Sequence, residues 1–222
     1  MAYHWDFSAV TRNADAFAAG LVNTVLLSAA GIAVGLALGL VVALMRLSGR
    51  RVLAWPALAF VEFYRNTPPL VHLFWFFYGL PMVLGLTLSP FVAALSALGI
   101  QSAAFFAEVY RAGIVSVERG QWEAGRALGM GRARLMRRVI LPQALRRMVA
   151  PFVDRSFELI KTTTLAAALT FQDLVYNAMV VTTQTYRPLE VYTAVAVIFF
   201  LLLFSLSQLA EWLDARMKRR GG

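Results

Sequence analysis

Apolar residues dominate long blocks of this chain. Residues 21–45 contain no charged side chain, and an α-helix needs about 20 apolar residues to cross the hydrocarbon core of a bilayer. Further apolar blocks occupy residues 53–80, 91–117, 152–181 and 191–209. The pattern predicts an all-α integral membrane protein with five membrane-spanning helices, in a single transmembrane domain that takes up all 222 residues.

The second block is interrupted by two charges and two prolines, Glu62, Arg65, Pro68 and Pro69. Charged groups and irregular backbone at membrane depth are tolerated where they are buried in protein or line a cavity. We therefore predict that Glu62, Tyr64, Arg65 and Thr67 face a translocation path. The alternative is that Glu62 and Arg65 only pair with each other, one helical turn apart.

Glycines form a ridge on the first predicted span. Gly31, Gly35 and Gly39 recur at four-residue spacing, which places them on one helical face and lets another helix approach closely. The pattern favours packing inside the chain over a seam between two copies.

Basic residues orient the predicted spans. The formal net charge is +9, and three, eleven and four of the 21 Lys and Arg residues lie in residues 46–51, 111–161 and 216–220. Cytoplasmic loops carry an excess of Lys and Arg, so the N-terminus is predicted outside and the C-terminus inside.

Positive charge could also indicate a nucleic-acid-binding helix-turn-helix, but its position beside apolar spans favours a membrane protein with no nucleic acid partner.

Composition excludes several kinds of site. Hydrophobic residues make up 59% of the chain, above the roughly 45–50% of soluble domains. There is no cysteine, and His4 and His72, the only histidines, lie far apart in the sequence. Disulfides and metal sites are therefore not expected, and no catalytic constellation is present.

The polar block at residues 118–151 separates the third and fourth predicted spans. A short helix is predicted at its start, Gly129 and Gly131 stop that helix, and a basic amphipathic helix follows. Such a helix lies at a membrane surface with its arginines toward lipid phosphates or a partner. We expect only a small residue to fit the turn at Gly129.

The same block resembles the EAA loop of bacterial ABC-importer permeases. Glu123-Ala124-Gly125, then Gly129, Val139 and Leu141-Pro142, stand at the family's spacing, although Gly125 replaces Ala and Val139 replaces Ile. The resemblance implies a type I importer permease whose coupling helix docks on a separate ATPase. The implied coupling residues are Glu123, Ala124, Gly125, Leu128, Gly129, Leu141 and Pro142.

Three other segments resemble the permeases for polar amino acids. They are the run from Arg65 through Pro69, the run Ala107-Glu108-Val-Tyr-Arg111 and the run Leu159-Ile-Lys-Thr162. Glu108 and Arg111 are expected to pair structurally. Thr162 stands where the family usually has Asp, so the ligand site in this subunit is expected to be altered or empty.

Other polar residues within the apolar blocks are further candidates for the substrate path. Each of them could instead hydrogen-bond between helices. They are Asn23, Thr24, Gln101, Thr162, Thr163 and Thr164.

The resemblance implies a non-catalytic permease subunit of an ATP-driven importer for polar amino acids, opines or related zwitterions in the bacterial inner membrane. Its expected partners are two ATPase copies, a second permease subunit, a periplasmic solute-binding protein and lipid.

Residues 120–127 have P-loop glycine spacing but lack the Lys that reaches the phosphates and the Ser or Thr that binds magnesium. ATP and magnesium are therefore expected on the ATPase. The alternative is a proton-coupled secondary transporter that uses Glu62 or Glu158.

Overall fold

The computed structural model describes the backbone of residues 3–219 and the side chains of residues 3–212, and its regular elements there are all helical. Three long helices dominate: α2 (Ala14–Leu47), α6 (Pro90–Val115) and α11 (Pro188–Arg219). The shorter α-helices are α1 (Ser8–Arg12), α3 (Arg51–Asn66), α4 (Pro69–Phe74), α5 (Leu80–Leu84), α7 (Arg119–Ala127), α8 (Arg132–Leu135), α9 (Leu141–Thr162) and α10 (Leu174–Thr185).

Three described helices are long and apolar enough to cross a membrane, namely Ala14–Leu47, Pro90–Val115 and Pro188–Trp212. Two further pairs of helical segments, each bent at a short break, pass the same criteria together, so the number of spans is three, or up to five if each pair crosses once. The described residues are thus all-helical with long apolar helices that fit a membrane protein, whereas the count of five spans remains a prediction. The basic residues of 216–220 lie outside the described side chains.

The helix of the second apolar block ends where its prolines begin. Thr67 follows α3 with extended backbone angles, φ −106° and ψ 134°, because a residue before proline is disfavoured in the α region. Asn66 Nδ2 donates to the Glu62 carbonyl at 2.7 Å, and Thr67 Oγ1 donates to the Phe63 carbonyl at 2.8 Å. These side chains satisfy carbonyls that the end of the helix leaves open.

Two π-helical turns also precede prolines. One spans Trp75–Gly79 before Pro81, and the other spans Met136–Ile140 before Pro142. Proline lacks an N–H and its ring clashes with the carbonyl four residues earlier. A wider turn accommodates both effects and lets the helix continue.

The chain forms two compact units. One comprises Gly31–Pro69 and Ala97–Leu159, and its core includes a cluster of Ala43, Val61, Ala104 and Ala107. Small residues dominate this cluster because the α2 and α6 backbones pass close to each other. A Cβ atom added to Gly39 would lie 2.9 Å from the Ala103 carbonyl oxygen. The glycine ridge at Gly35 and Gly39 therefore packs within the chain.

The Gly39→Ala substitution tests this close approach. The added methyl would press on backbone rather than on a flexible side chain, and overpacking costs about 1–3 kcal/mol. We expect the apparent melting temperature of the purified chain to fall by several degrees. The matched control is Gly120→Ala, where an added Cβ meets nothing within 4 Å; equal melting temperatures for the two variants would contradict the packing argument.

In the same unit, a network of three charged side chains joins α2 and α6 near their C-terminal ends. Arg46 and Arg111 both donate to the carboxylate of Glu108, and the side chains of Arg46 and Glu108 are 14% and 23% exposed. The Glu108–Arg111 pair was expected from the sequence. Arg46 was not, because its contact joins residues 62 positions apart.

The other unit comprises Met1–Ala30, Leu70–Ser96 and Ile160–Gly222. Its core is an apolar cluster of Phe17, Leu174, Ala178, Val181, Val191 and Val195. The buried Glu190 carboxylate accepts hydrogen bonds from Tyr3 Oη at 2.6 Å and from the Asp6 backbone N–H at 3.0 Å. The hydrogen bond to Glu190 raises the pKa of the Tyr3 phenol, and the two bonds join the N-terminal segment to α11.

Candidate ATPase-coupling site

The site is built on α7, a short helix that begins at Arg119 and ends at Ala127. Its C-terminus is closed by two hydrogen bonds, from Met130 N to the Gly125 carbonyl at 3.0 Å and from Gly129 N to the Arg126 carbonyl at 2.9 Å. This is a Schellman motif, which needs a left-handed residue just past the helix. Gly129 supplies that residue, with φ +71°.

The structure changes the physical reason for glycine at position 129. A Cβ atom there would meet nothing within 4 Å, so space is not what restricts this position, contrary to the expectation from the sequence. The restriction is the left-handed backbone, which places an L side chain close to its own carbonyl and costs about 1–2 kcal/mol.

One face of α7 packs on the segment that follows the turn. Gly125 is buried against Leu135, and Trp122 packs on a cluster of Val117, Leu135, Ile140, Ala144 and Met148. Val139 packs on the same cluster. Most of the apolar side of the predicted amphipathic helix is therefore covered by protein, although Leu145 is 47% exposed. The arginines of the other side are exposed, namely Arg134, Arg137, Arg138, Arg146 and Arg147.

The other face of α7 is open. Glu123, Ala124 and Gly129 are exposed, and Leu128 is 81% exposed. Leu141 is half-buried and Pro142 is exposed at the start of α9. Of the seven predicted coupling residues, Gly125 thus lies on the buried face of α7, while the other six are exposed or half-buried.

Two polar contacts that sequence reasoning missed join α9 to the segment from α6 to α7. Gln143 Nε2 donates to Gln121 Oε1 at 3.3 Å, and Arg147 donates to the Ser116 carbonyl. Both pairs are more than 20 residues apart in the sequence. A pattern of local periodicity carries no signal for such contacts.

The Gly125→Ala substitution would restore the alanine of the family motif, yet we expect it to impair this protein. The added Cβ would lie 2.3 Å from Leu135 Cδ1 and 3.3 Å from its Cγ. The Leu135 side chain is only 1% exposed and has little room to turn away, so we expect the overpacking cost of about 1–3 kcal/mol. Uptake by the assembled transporter should fall severalfold. Addition of Leu135→Val, which shortens the opposing side chain, should recover most of the loss; no recovery would contradict the steric explanation.

The predicted substrate-path residues separate into groups. Gln101 Nε2 donates to the carbonyls of Tyr64 at 3.2 Å and Thr67 at 3.1 Å, so it holds the end of α3 against α6. Glu62 accepts from Asn66 Nδ2 at 3.1 Å. Arg65 forms no ion pair with Glu62 among the described side chains; its guanidinium lies 5.8 Å from the centre of the Phe105 ring.

The remaining path candidates bond to backbone within the unit that contains α10 and α11. Thr24 is buried, donates to the Gly20 carbonyl at 3.0 Å and accepts from Leu174 N at 3.1 Å. Asn23 donates to the Gln172 carbonyl at 2.8 Å. Thr163 and Thr164 donate to carbonyls three residues earlier, and Thr162 is the last residue of α9.

Comparison with known proteins agrees with this architecture. Residues 35–219 match the family described as "Binding-protein-dependent transport system inner membrane component". The octopine transport system permease protein of Rhizobium meliloti is 37% identical over 219 residues, covering 92% of this chain and 89% of that protein. The glutamine transport system permease protein of Escherichia coli K12 is 34% identical over 215 residues, covering 96% and 98%.

Solved structures show the same fold. The crystal structure of an amino acid ABC transporter with histidines matches with a TM-score of 0.92 and 34% identity, covering 96% of this chain and all of that one. An inward-facing methionine ABC transporter matches with a TM-score of 0.68 at 20% identity, covering 91% and 94%. From its sequence, its helical architecture and these relatives, the chain belongs to the membrane-spanning permeases of binding-protein-dependent ABC importers, in the group of the amino acid and opine permeases.

Proposed function

We propose that this chain is the permease subunit of an ATP-driven importer for polar amino acids or related zwitterions, that it forms half of the translocation path, and that it couples to a separate ATPase through α7. The observation that carries the proposal is the two-sided character of α7. Its inner face is packed on Leu135 and its neighbours, whereas Glu123, Ala124 and Leu128 project from the protein.

An exposed leucine at the end of a short helix suits docking into a groove. Short amphipathic helices bind by laying apolar anchors into a cleft on the partner, and Leu128, at 81% exposure, is the apolar anchor available here. The Schellman turn at Gly129 fixes its position. The ATPase therefore has a rigid point of contact on this chain.

Direct contacts would transmit motion of α7 to the helix that follows it. Gly125 contacts Leu135, and Gln121 contacts Gln143 on α9. Since α9 runs without a break from Leu141 to Thr162, passing Pro151, the coupling segment and the start of the fourth apolar block are one helix. A displacement of α7 would move that helix as a whole.

The complete transporter would contain two ATPase copies, which hold ATP and magnesium, a second permease subunit and a periplasmic solute-binding protein. We place the chain in the bacterial inner membrane with five spans, the N-terminus outside and the C-terminus inside. The path would be lined from the region of Glu62, Tyr64, Arg65, Thr67 and Gln101.

Co-purification tests this proposal. The tagged chain should be extracted from its native membrane in mild detergent, and the retained proteins identified and counted by mass spectrometry. We expect two ATPase copies and either a second copy of this chain or a related permease. If the chain purifies alone and transports with a proton gradient and no ATP, it is a secondary transporter instead.

A further inference from the structure

A cavity of about 470 Å³ lies within the unit formed by Gly31–Pro69 and Ala97–Leu159. Its walls come from α3, α6 and α9, and the polar side chains that line it include Arg65, Glu108, Arg147, Asp154 and Arg155. Cavities of roughly 300–1,000 Å³ that are mostly apolar with a few converging polar groups are typical of small-molecule sites. The volume and lining therefore fit a small charged ligand.

Two of the five charged side chains already bond to other groups of the protein. Glu108 accepts from both Arg46 and Arg111, and Arg147 donates to the Ser116 carbonyl. Both still line the cavity, but their hydrogen-bonding capacity is partly used. The charges that remain to meet a ligand are those of Arg65, Asp154 and Arg155.

The two remaining guanidinium groups share one aromatic ring. Arg65 Cζ lies 5.8 Å from the centre of the Phe105 ring, and Arg155 Cζ lies 4.9 Å from it. Neither group is ion-paired with a carboxylate among the described side chains. A cation–π contact does not neutralise a guanidinium, which can still bind a carboxylate through its N–H groups.

We propose that this cavity binds an amino acid with a net negative charge, with its two carboxylates on Arg65 and Arg155 and its ammonium group on Asp154. Two like charges around one ring repel each other, and a ligand with two carboxylates relieves that repulsion. Asp154 supplies the single opposite charge that an ammonium group needs. This inference deepens the proposed function, on which it rests, by naming acidic amino acids as the substrate class.

Binding of L-glutamate to the purified complex, without its solute-binding protein and in lipid nanodiscs, tests the assignment. We expect Arg65→Gln and Arg155→Gln each to weaken binding about tenfold or more, since a charge-assisted bidentate contact contributes the equivalent of a tenfold or larger factor. Arg155→Glu should shift the preference from L-glutamate to L-arginine. The matched control is Arg50→Gln, at an exposed arginine outside the cavity, which should bind L-glutamate as the unaltered complex does.

A second readout does not depend on removing an arginine. The chain has no cysteine, so Ala112→Cys introduces one thiol into the cavity wall, and Val115→Cys places one on the same helix outside it. L-glutamate should slow labelling at position 112 by a methanethiosulfonate reagent and leave position 115 unaffected. L-glutamine should protect position 112 less.

Two results would overturn the proposal. One is L-glutamate affinity that is unchanged in folded Arg65→Gln and Arg155→Gln complexes. The other is protection of position 112 by L-arginine or L-glutamine but not by L-glutamate. Both readouts are made on the same preparation in which ATPase retention is scored, so loss of the partner ATPase and loss of acidic ligand binding are separate outcomes.

Discussion

Replacement of Gly129 by valine is expected to lower ATP-driven uptake at least tenfold while the chain still inserts into the membrane. Gly129 has φ +71°, and forcing a residue other than glycine into such a conformation costs about 1–3 kcal/mol, where 1.4 kcal/mol corresponds to a factor of ten. A β-branched side chain stands at the upper end of that range. The Schellman turn would open and Leu128, the residue that directly follows α7, would lose its fixed position.

The matched control is Gly131→Val. Gly131 has φ −62° and ψ 151°, an extended conformation that valine adopts readily, and an added Cβ meets nothing within 4 Å. Gly129→Asn should fall between the two, because asparagine tolerates the left-handed region. Uptake should be measured in proteoliposomes with equal amounts of complex; similar losses at positions 129 and 131 would argue against the backbone explanation.

Removal of the Glu108 carboxylate is expected to destabilise the chain strongly. Glu108→Ala leaves Arg46 and Arg111 without their common acceptor, and breaking a buried charge pair costs about 3–5 kcal/mol, less where water reaches the group. Because the Arg46 and Arg111 side chains are 14% and 33% exposed, we expect an effect of about 3 kcal/mol. The apparent melting temperature, followed by size-exclusion chromatography after heating, should drop well below that of Gly39→Ala.

Glu118→Ala is the control for that experiment, since Glu118 is exposed and its side chain makes no capping hydrogen bond to α7. It should melt within one or two degrees of the unaltered protein. Glu108→Gln keeps an acceptor oxygen but loses the charge, so its melting temperature should lie between the two. A Glu108→Ala protein as stable as Glu118→Ala would show that the network contributes little.

Several features of this protein follow from local sequence pattern alone. The uncharged run at 21–45 lies inside one helix, α2, because a long apolar segment has to satisfy its own backbone hydrogen bonds. The break after Asn66 follows from two prolines, and the turn after α7 coincides with a glycine. The helix, turn and helix of the coupling site were predictable for the same reason, since each depends on residues within a few positions of one another.

The sequence did not show that the helix of the fourth apolar block is broken. Residues 152–181 were predicted as the fourth span, and the two bent helical segments there can still form one span. A 3-10 helix at Thr163–Leu169 and the left-handed Thr170 interrupt the α-helix, and α10 restarts at Leu174 with Asp173 as its cap. Asp173 accepts from Tyr176 N at 2.7 Å. Hydropathy averages over such a break, because alanine and leucine are apolar in either kind of helix.

By itself, therefore, the sequence determined the class of fold, the long apolar helices and the helix, turn and helix of the candidate coupling segment, which all depend on short-range chemistry. Only the tertiary structure decided which distant side chains meet: Arg46 with Glu108, Gly125 with Leu135, and Arg65 with Arg155 around Phe105. The physical reason is that such contacts join residues ten or more positions apart, in different helical segments. Their partners are chosen by how whole helices pack, and the residue types alone leave several pairings open.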